Sequence, residues 1–225
     1  MKTKAIAFTS VLLLGALISQ AQSTSTSTAT MGKTTFGVRA GVNFQNINGK
    51  DGDGDDLDYK LKTGFHVGVT ADVPIAPEFY VQPGLLFSLK GAKFDDAADT
   101  KINISYLEIP VNFLYKPVLG TGKLLLGFGP YAAFAVGGKI KNDNADVDLK
   151  FDNEVSAASP DAYRTIKRFD FGANFLAGYQ FSSKFSAQLN AQLGLVKINP
   201  KVTGISSDAK ARNTGFGVSV GYNIN

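Results

Sequence analysis

An all-β chain, an eight-stranded antiparallel up-and-down transmembrane β-barrel with short periplasmic turns and long extracellular loops, is predicted by three features of the sequence. Eight stretches alternate apolar and polar residues with a period of two, the spacing of a strand with two unlike faces. Their connections alternate between short and long, which puts all the long loops at one end. Their polar faces hold Gly, Ser, Asn and Gln in place of charges. Such residues suit a crowded barrel lumen better than a solvated surface, so the apolar face is the outside.

The chain starts with an address. Lys2 and Lys4 precede the apolar run from Ala5 to Ile18, and Ser19-Gln20-Ala21 places small residues at −3 and −1 of a cleavage site after Ala21. Residues 1–21 therefore read as a signal peptide. Residues 22–34 are a low-complexity Ser/Thr stretch without enough apolar surface to order, read as a flexible polar tail. Residues 35–225 form the barrel domain.

In the first strand Phe36, Val38, Ala40, Val42 and Phe44 oppose Gly37, Arg39, Gly41 and Asn43. The second sets Phe65, Val67, Val69, Ala71 and Val73 against His66, Gly68, Thr70 and Asp72. The third carries Phe79, Val81, Leu85, Phe87 and Leu89 on one face, with Tyr80, Gln82, Gly84 and Ser88 on the other. In the fourth, Leu107, Ile109, Val111, Phe113 and Tyr115 alternate with Glu108, Pro110, Asn112 and Leu114. Pro110 removes a ladder donor, which predicts a bulge or a missing ladder bond. The fifth runs from Leu124 to Val136 and the sixth from Phe169 to Phe181. The seventh spans Phe185 to Leu195, and the last runs from Gly215 to Ile224. Short turns are expected at 74–78, 116–122 and 182–184, and long loops at 47–62, 91–101, 138–167 and 198–213.

Two further features oppose a soluble lipocalin-like ligand-binding barrel, the alternative that would keep its apolar face inside. Aromatics gather at strand ends: Phe36, Tyr115, Tyr179, Phe181, Phe185 and Tyr222 near the short turns, and Phe44, Phe65, Phe134, Phe169 and Phe216 near the long loops. Two girdles are expected where a barrel meets two membrane–water interfaces. The strands also reach the ~9–11 residues needed to cross a tilted bilayer span. Outer-membrane localisation after export follows.

The charge balance excludes one class of partner. Removing Lys2 and Lys4 lowers the basic count from 23 to 21 against 19 acids, a net +2 that gives no argument for nucleic acid. Fifteen of the 19 acids fall in the four long loops, so mixed-charge loops are expected to meet lipopolysaccharide phosphates or envelope proteins, on a monomeric barrel. Cysteine is absent, which excludes disulfides and thiolate metal sites.

The remaining strand charges are expected inside. Arg39 and Asp72 lie at similar levels and are expected to pair across the lumen, while Glu108, with Arg39 as a partner, and Asp170 join them in a polar plug. His66, the single histidine, points inward near the loop end. A lipid-modifying enzyme would need it as a base beside a nucleophile such as Ser88 or Ser105, with an acid such as Asp170; nothing in the sequence assembles these, and a non-enzymatic chain is expected. The loop at 51–58 offers Asp51, Asp53 and Asp55 in alternation, a pattern able to wrap Ca2+. Glycine is missing at Asp56 and Lys62 stands where a bidentate Glu belongs, so a solvated loop without cofactor is the expectation.

Tyr106-Leu107-Glu108-Ile109-Pro110, Phe36-Gly37-Val38-Arg39-Ala40-Gly41-Val42-Asn43, Gln82-Pro83-Gly84-Leu85-Leu86-Phe87-Ser88, Gly127-Phe128-Gly129-Pro130-Tyr131 and Gly217-Val218-Ser219-Val220-Gly221-Tyr222 carry a resemblance. The chain resembles the small outer-membrane β-barrels of Bacteroidetes labelled PorT-like, related in architecture to OmpX and the OmpA barrel. The resemblance spans about residues 35 to 225 and implies the same barrel. It also implies an accessory role beside a secretion and gliding apparatus, without transferring any functional residue.

Overall fold

The structure, a computed structural model, describes residues 32–94, 99–143, 145–204 and 209–224. The signal peptide and polar tail expected from the sequence lie, but for residues 32–34, outside them. Eight long strands form the wall: β1 (Thr35–Lys50), β2 (Lys62–Ala76), β3 (Phe79–Phe94), β4 (Lys101–Tyr115), β5 (Gly122–Lys141), β6 (Phe169–Gln180), β7 (Phe185–Gly194) and β8 (Lys210–Asn223). Each pairs antiparallel with its sequence neighbours, and β8 pairs with β1, so the sheet closes on itself. Closure removes every strand edge, the condition for a sheet to stand in lipid.

The alternation sorts residues as the sequence predicts. Phe36, Val38, Val42, Phe65, Val67, Val69, Leu107, Ile109, Phe113, Phe175, Phe216 and Val218 are all exposed on the outside, while Arg39, Asn43, His66, Glu108, Asn112, Asp170 and Asn174 are buried within. Ring pairs mark both girdles: Phe79 on Tyr115 at 4.8 Å and Phe185 on Tyr222 at 5.0 Å near the short turns, and Phe44 on Phe216 at 5.3 Å near the loops. An apolar outside around a polar inside is the reverse of a soluble ligand-binding barrel.

Inward glycines make room for the lumen side chains. A Cβ at Gly41 would lie 2.6 Å from the His66 ring, and one at Gly172 would lie 2.6 Å from Tyr131.

Strands run further toward the loop end than the apolar alternation does. β5 has 20 residues and β3 reaches Phe94, so the loops shorten to 51–61, 95–100, 142–168 and 195–209. Pro110 breaks the β3–β4 pairing between Pro83–Val111 and Leu86–Glu108 without changing the register. Of the two expected outcomes, the missing pairs are observed; the β4 bulge sits instead at Ser105/Tyr106, against β5.

The loops fold back over the barrel mouth. Leu149 and Ile198, from the third and fourth loops, join Ile47, Ile104, Tyr106 and Tyr131 in a buried apolar cluster. A short parallel pair, Glu154–Ser156 with Lys201–Thr203, stitches the two loops together, and a second, Thr165–Ile166 with Lys150–Phe151, closes the third loop on itself. The mouth is thus corked by its own loops.

Candidate functional site

The lumen holds three tiers of polar side chains. The upper tier is built around Lys90 of β3, a residue to which the sequence pattern gave no role. Its Nζ lies 2.8 Å from Glu108 Oε2 of β4 and 3.5 Å from Asp170 Oδ2 of β6, and all three side chains are essentially inaccessible. The ammonium also sits 4.1 Å from the centroid of Tyr131 and 5.5 Å from that of Tyr106. Asp170 Oδ2 accepts from Asn213 Nδ2 at 2.9 Å and from the Tyr131 hydroxyl at 3.2 Å, and Glu108 Oε1 accepts from Gln192 Nε2 at 2.6 Å. One ammonium held between two carboxylates and two ring faces is an ion cluster that water does not screen.

In the middle tier, His66 Nδ1 lies 2.6 Å from Asn43 Oδ1, and Asn43 Nδ2 donates to Ser88 Oγ at 3.2 Å. An amide oxygen only accepts, so the proton sits on Nδ1 and Nε2 is left as a buried acceptor with no protein partner. Arg39 is buried beside them, its Nε also without a partner. The cavity they share with Gln45, Asn112 and Gln192 is about 30 Å3, room for a water or two and far from a pore.

The lower tier is an ion pair between Lys116 and Asp72. Gln82 Nε2 donates to Asp72 Oδ1 at 2.7 Å, and Lys116 lies 4.9 Å from the Tyr80 ring. Below it the barrel opens at the short-turn end into a vestibule of about 420 Å3 that reaches Lys123 and Ser183.

All five lumen residues expected from the sequence are therefore inside, but their partners differ. Arg39 pairs with neither Asp72 nor Glu108 among the described residues. The β1–β2 register sets Arg39 opposite Gly68 and Asp72 opposite Thr35. Four residues separate the two along the strand, roughly 13 Å at the strand rise, which is too far for an ion pair. Lys116 takes Asp72, and Lys90 takes Glu108 and Asp170. Both lysines were legible in principle. Lys90 keeps the inward parity of Ser88, and Lys116 that of Asn112 and Leu114.

Ser88 stands opposite His66 in the β2–β3 register and shares its cavity, but among the described residues the hydrogen bonds run from each to Asn43 and not between them, and Asp170 is held in the upper tier. At the aspartate loop, Asp51 Oδ1 accepts from the Asp53 and Asp55 N–H groups, both at 3.0 Å, while Lys50 Nζ donates to the Gly54 carbonyl at 2.9 Å. Its carboxylate closes the turn, and an ammonium stands among the oxygens a cation would need. Among the described residues no group of three His, Asp or Glu is placed to hold a metal.

Solved structures match the chain at low identity. Ail of Yersinia pestis, in complex with the heparin analogue sucrose octasulfate, is 13% identical with a TM-score of 0.42, over 86% of this chain and 100% of its own. Neisserial surface protein A is 12% identical with a TM-score of 0.44, over 86% and 100%. A major outer membrane protein from Thermus thermophilus gives the same values, 12%, 0.44, 86% and 100%. No curated protein matches the chain. The family model of the outer membrane protein beta-barrel domain matches residues 20–199, and the chain belongs to that family.

Proposed function

We propose that the protein is a non-enzymatic, monomeric barrel of the outer membrane. Its working surface is the loop cap, serving a structural, adhesive or assembly and secretion-accessory role of the PorT-like kind. The observation that carries this reading is the filled lumen. Lys90, Glu108 and Asp170 block its upper tier, and Leu149 and Ile198 cork its mouth. A barrel whose lumen is filled by its own side chains acts through what it presents outside. The partners are outer-membrane lipid and lipopolysaccharide around the wall, and envelope or secretion proteins at the loops.

The test replaces residues 142–168 with a short Gly-Ser turn. The reading expects the variant to reach the outer membrane and keep its heat-modifiable gel shift while losing recovery of envelope partners. It also expects no steady conductance from the native chain in planar bilayers. A native chain that conducts ions, or a mature chain that fractionates as a water-soluble monomer, overturns the reading.

A further inference from the structure

Cations ring the loop end of the barrel, but they are not alike. Lys50 has Asp56 at 4.0 Å, Lys93 and Lys101 share Asp99, and Lys139 and Lys141 hold Asp146 at 4.0 and 3.0 Å. These lie on β1 and β3 to β5. Above β6 to β8 stand Arg168, Lys197, Lys210 and Arg212, and none makes an ion pair with a described residue.

Backbone bonds hold these four close together. The Lys167 N–H donates to the Ile198 carbonyl at 2.7 Å, and the Ile198 N–H to the Ala211 carbonyl at 2.8 Å, which sets the three segments side by side. Ile198 and Asn213 are buried in the mouth, while their neighbours Lys197 and Arg212 are both exposed. The Arg168 guanidinium lies 5.7 Å from the Phe134 ring and 4.6 Å from Phe151, at the loop-end girdle. Its Nη1 donates only to the Ala135 carbonyl, at 3.2 Å.

The wall beneath them differs from the rest as well. Outward positions on β6 and β7 include Ala173, Ala177, Ala187 and Ala191, whereas β2 and β3 present Phe65, Val67, Val69, Leu85 and Phe87. The small residues leave a furrow of about 610 Å3, floored by Ala177 and Ala191 between ridges of Phe128, Phe175, Leu189 and Phe216. A basic cluster with no ion-pair partner among the described residues, at the loop end of the strands that carry an apolar furrow, matches an amphiphile with an anionic head and a hydrocarbon tail.

We propose that the β6–β8 quadrant is a docking site for a phosphate-bearing lipid of the outer leaflet. Arg168, Lys197, Lys210 and Arg212 hold the headgroup phosphates, and one acyl chain lies in the alanine-floored furrow. Arg168 suits the task because its guanidinium, apart from the one Nη1 bond to Ala135, has N–H groups without a hydrogen-bond partner among the described residues to offer an oxyanion while its face rests on phenylalanine. The proposal rests on the outer-membrane reading above, and adds a lipid class and a place on the wall.

The test is native mass spectrometry of the refolded barrel in micelles doped with lipid A, or with the same lipid stripped of its phosphates. The native chain retains phosphorylated lipid A in preference to the stripped form. Replacing all four cations (Arg168→Gln, Lys197→Gln, Lys210→Gln, Arg212→Gln) lowers that retention on the order of a thousandfold. The equally charged control Lys93→Gln, Lys101→Gln, Lys139→Gln, Lys141→Gln retains the lipid, and Ala191→Phe, which fills the furrow, weakens both lipids alike. Equal retention of both lipids by the native chain, or equal loss in the two quadruple variants, overturns the site and leaves the barrel reading intact. A chain that refolds without a heat-modifiable barrel takes both down.

Discussion

Lys90→Met is the most informative single change. Lys90 is inaccessible and lies 2.8 and 3.5 Å from two carboxylates that are themselves buried. With an effective dielectric near 20, those contacts correspond to about 6 and 5 kcal/mol of gross attraction. Most of that is offset by desolvating three ions, so the net worth of the cluster is small. Removing the cation is a different matter, because it leaves Glu108 and Asp170 facing each other without a counter-ion. Deleting one partner of a buried pair costs about 3–5 kcal/mol, and two orphaned acids put this variant at the upper end. The triple variant Lys90→Met, Glu108→Gln, Asp170→Asn keeps the volumes and removes all three charges, and is expected to recover most of the loss. Urea unfolding from lipid vesicles, read by the heat-modifiable gel shift, measures both. A loss under about 1 kcal/mol for Lys90→Met, or a triple variant no better than the single, would refute the buried-cluster reasoning.

Gly41→Ala drives a methyl group against the His66 ring and the Val218 carbonyl, and is expected to cost about 1–3 kcal/mol in the same assay, with Gly137→Ala, whose Cβ meets nothing within 4 Å on ordinary strand backbone, as the mild comparison. Ile198→Ala removes a buried side chain from the cork and is expected to speed protease cleavage of residues 142–168 on intact cells, leaving the wall's urea midpoint nearly unchanged. Hydrogen bonds from Lys150 and then Arg164 hold the Asp161 carboxyl below its usual range. A lowered folded value means its support of the third loop is complete above the ordinary carboxylate range and fades as pH falls through the lowered one, so loop protection from protease should hold on mild acidification and fail only below it; Asp161→Asn removes that dependence. Added Ca2+ is expected to leave cleavage at residues 51–58 unchanged, since Asp51 already caps the turn and Lys50 occupies its interior.

The wall was readable because one rule, alternation, decides both faces at once. Phe36 to Phe44 and Leu107 to Tyr115 follow it without exception on the outside. The lumen contacts were not readable, because which two inward residues meet depends on stagger between strands. Arg39 and Asp72 share a face and a general height, yet the pairing of Arg39 with Gly68 separates them. The strand ends failed for a related reason. Lys90, Lys93 and Lys139 look like loop residues once the apolar run stops, although the backbone ladder continues to Phe94 and Lys141. The cork of Leu149 and Ile198 had no signal at all, since two isolated aliphatics in polar loops show no period.

The stagger also suggests why a barrel with a filled lumen keeps ions inside it. A slip of two residues between neighbouring strands would leave every apolar side chain on the outside, so the lipid-facing pattern cannot fix the register. Bonds across the lumen can. Lys90 on β3, Glu108 on β4, Asp170 on β6 and Asn213 on β8 belong to four different strands, and a slip in any of them moves one partner by ~6–7 Å. On this argument the cluster contributes little net stability but excludes misregistered barrels, each of which would bury an unpaired charge. The triple-neutral variant then separates the two roles: it regains its urea midpoint, while its NMR spectrum in micelles splits into more than one set of signals. A single set would return the cluster to a purely stabilising part.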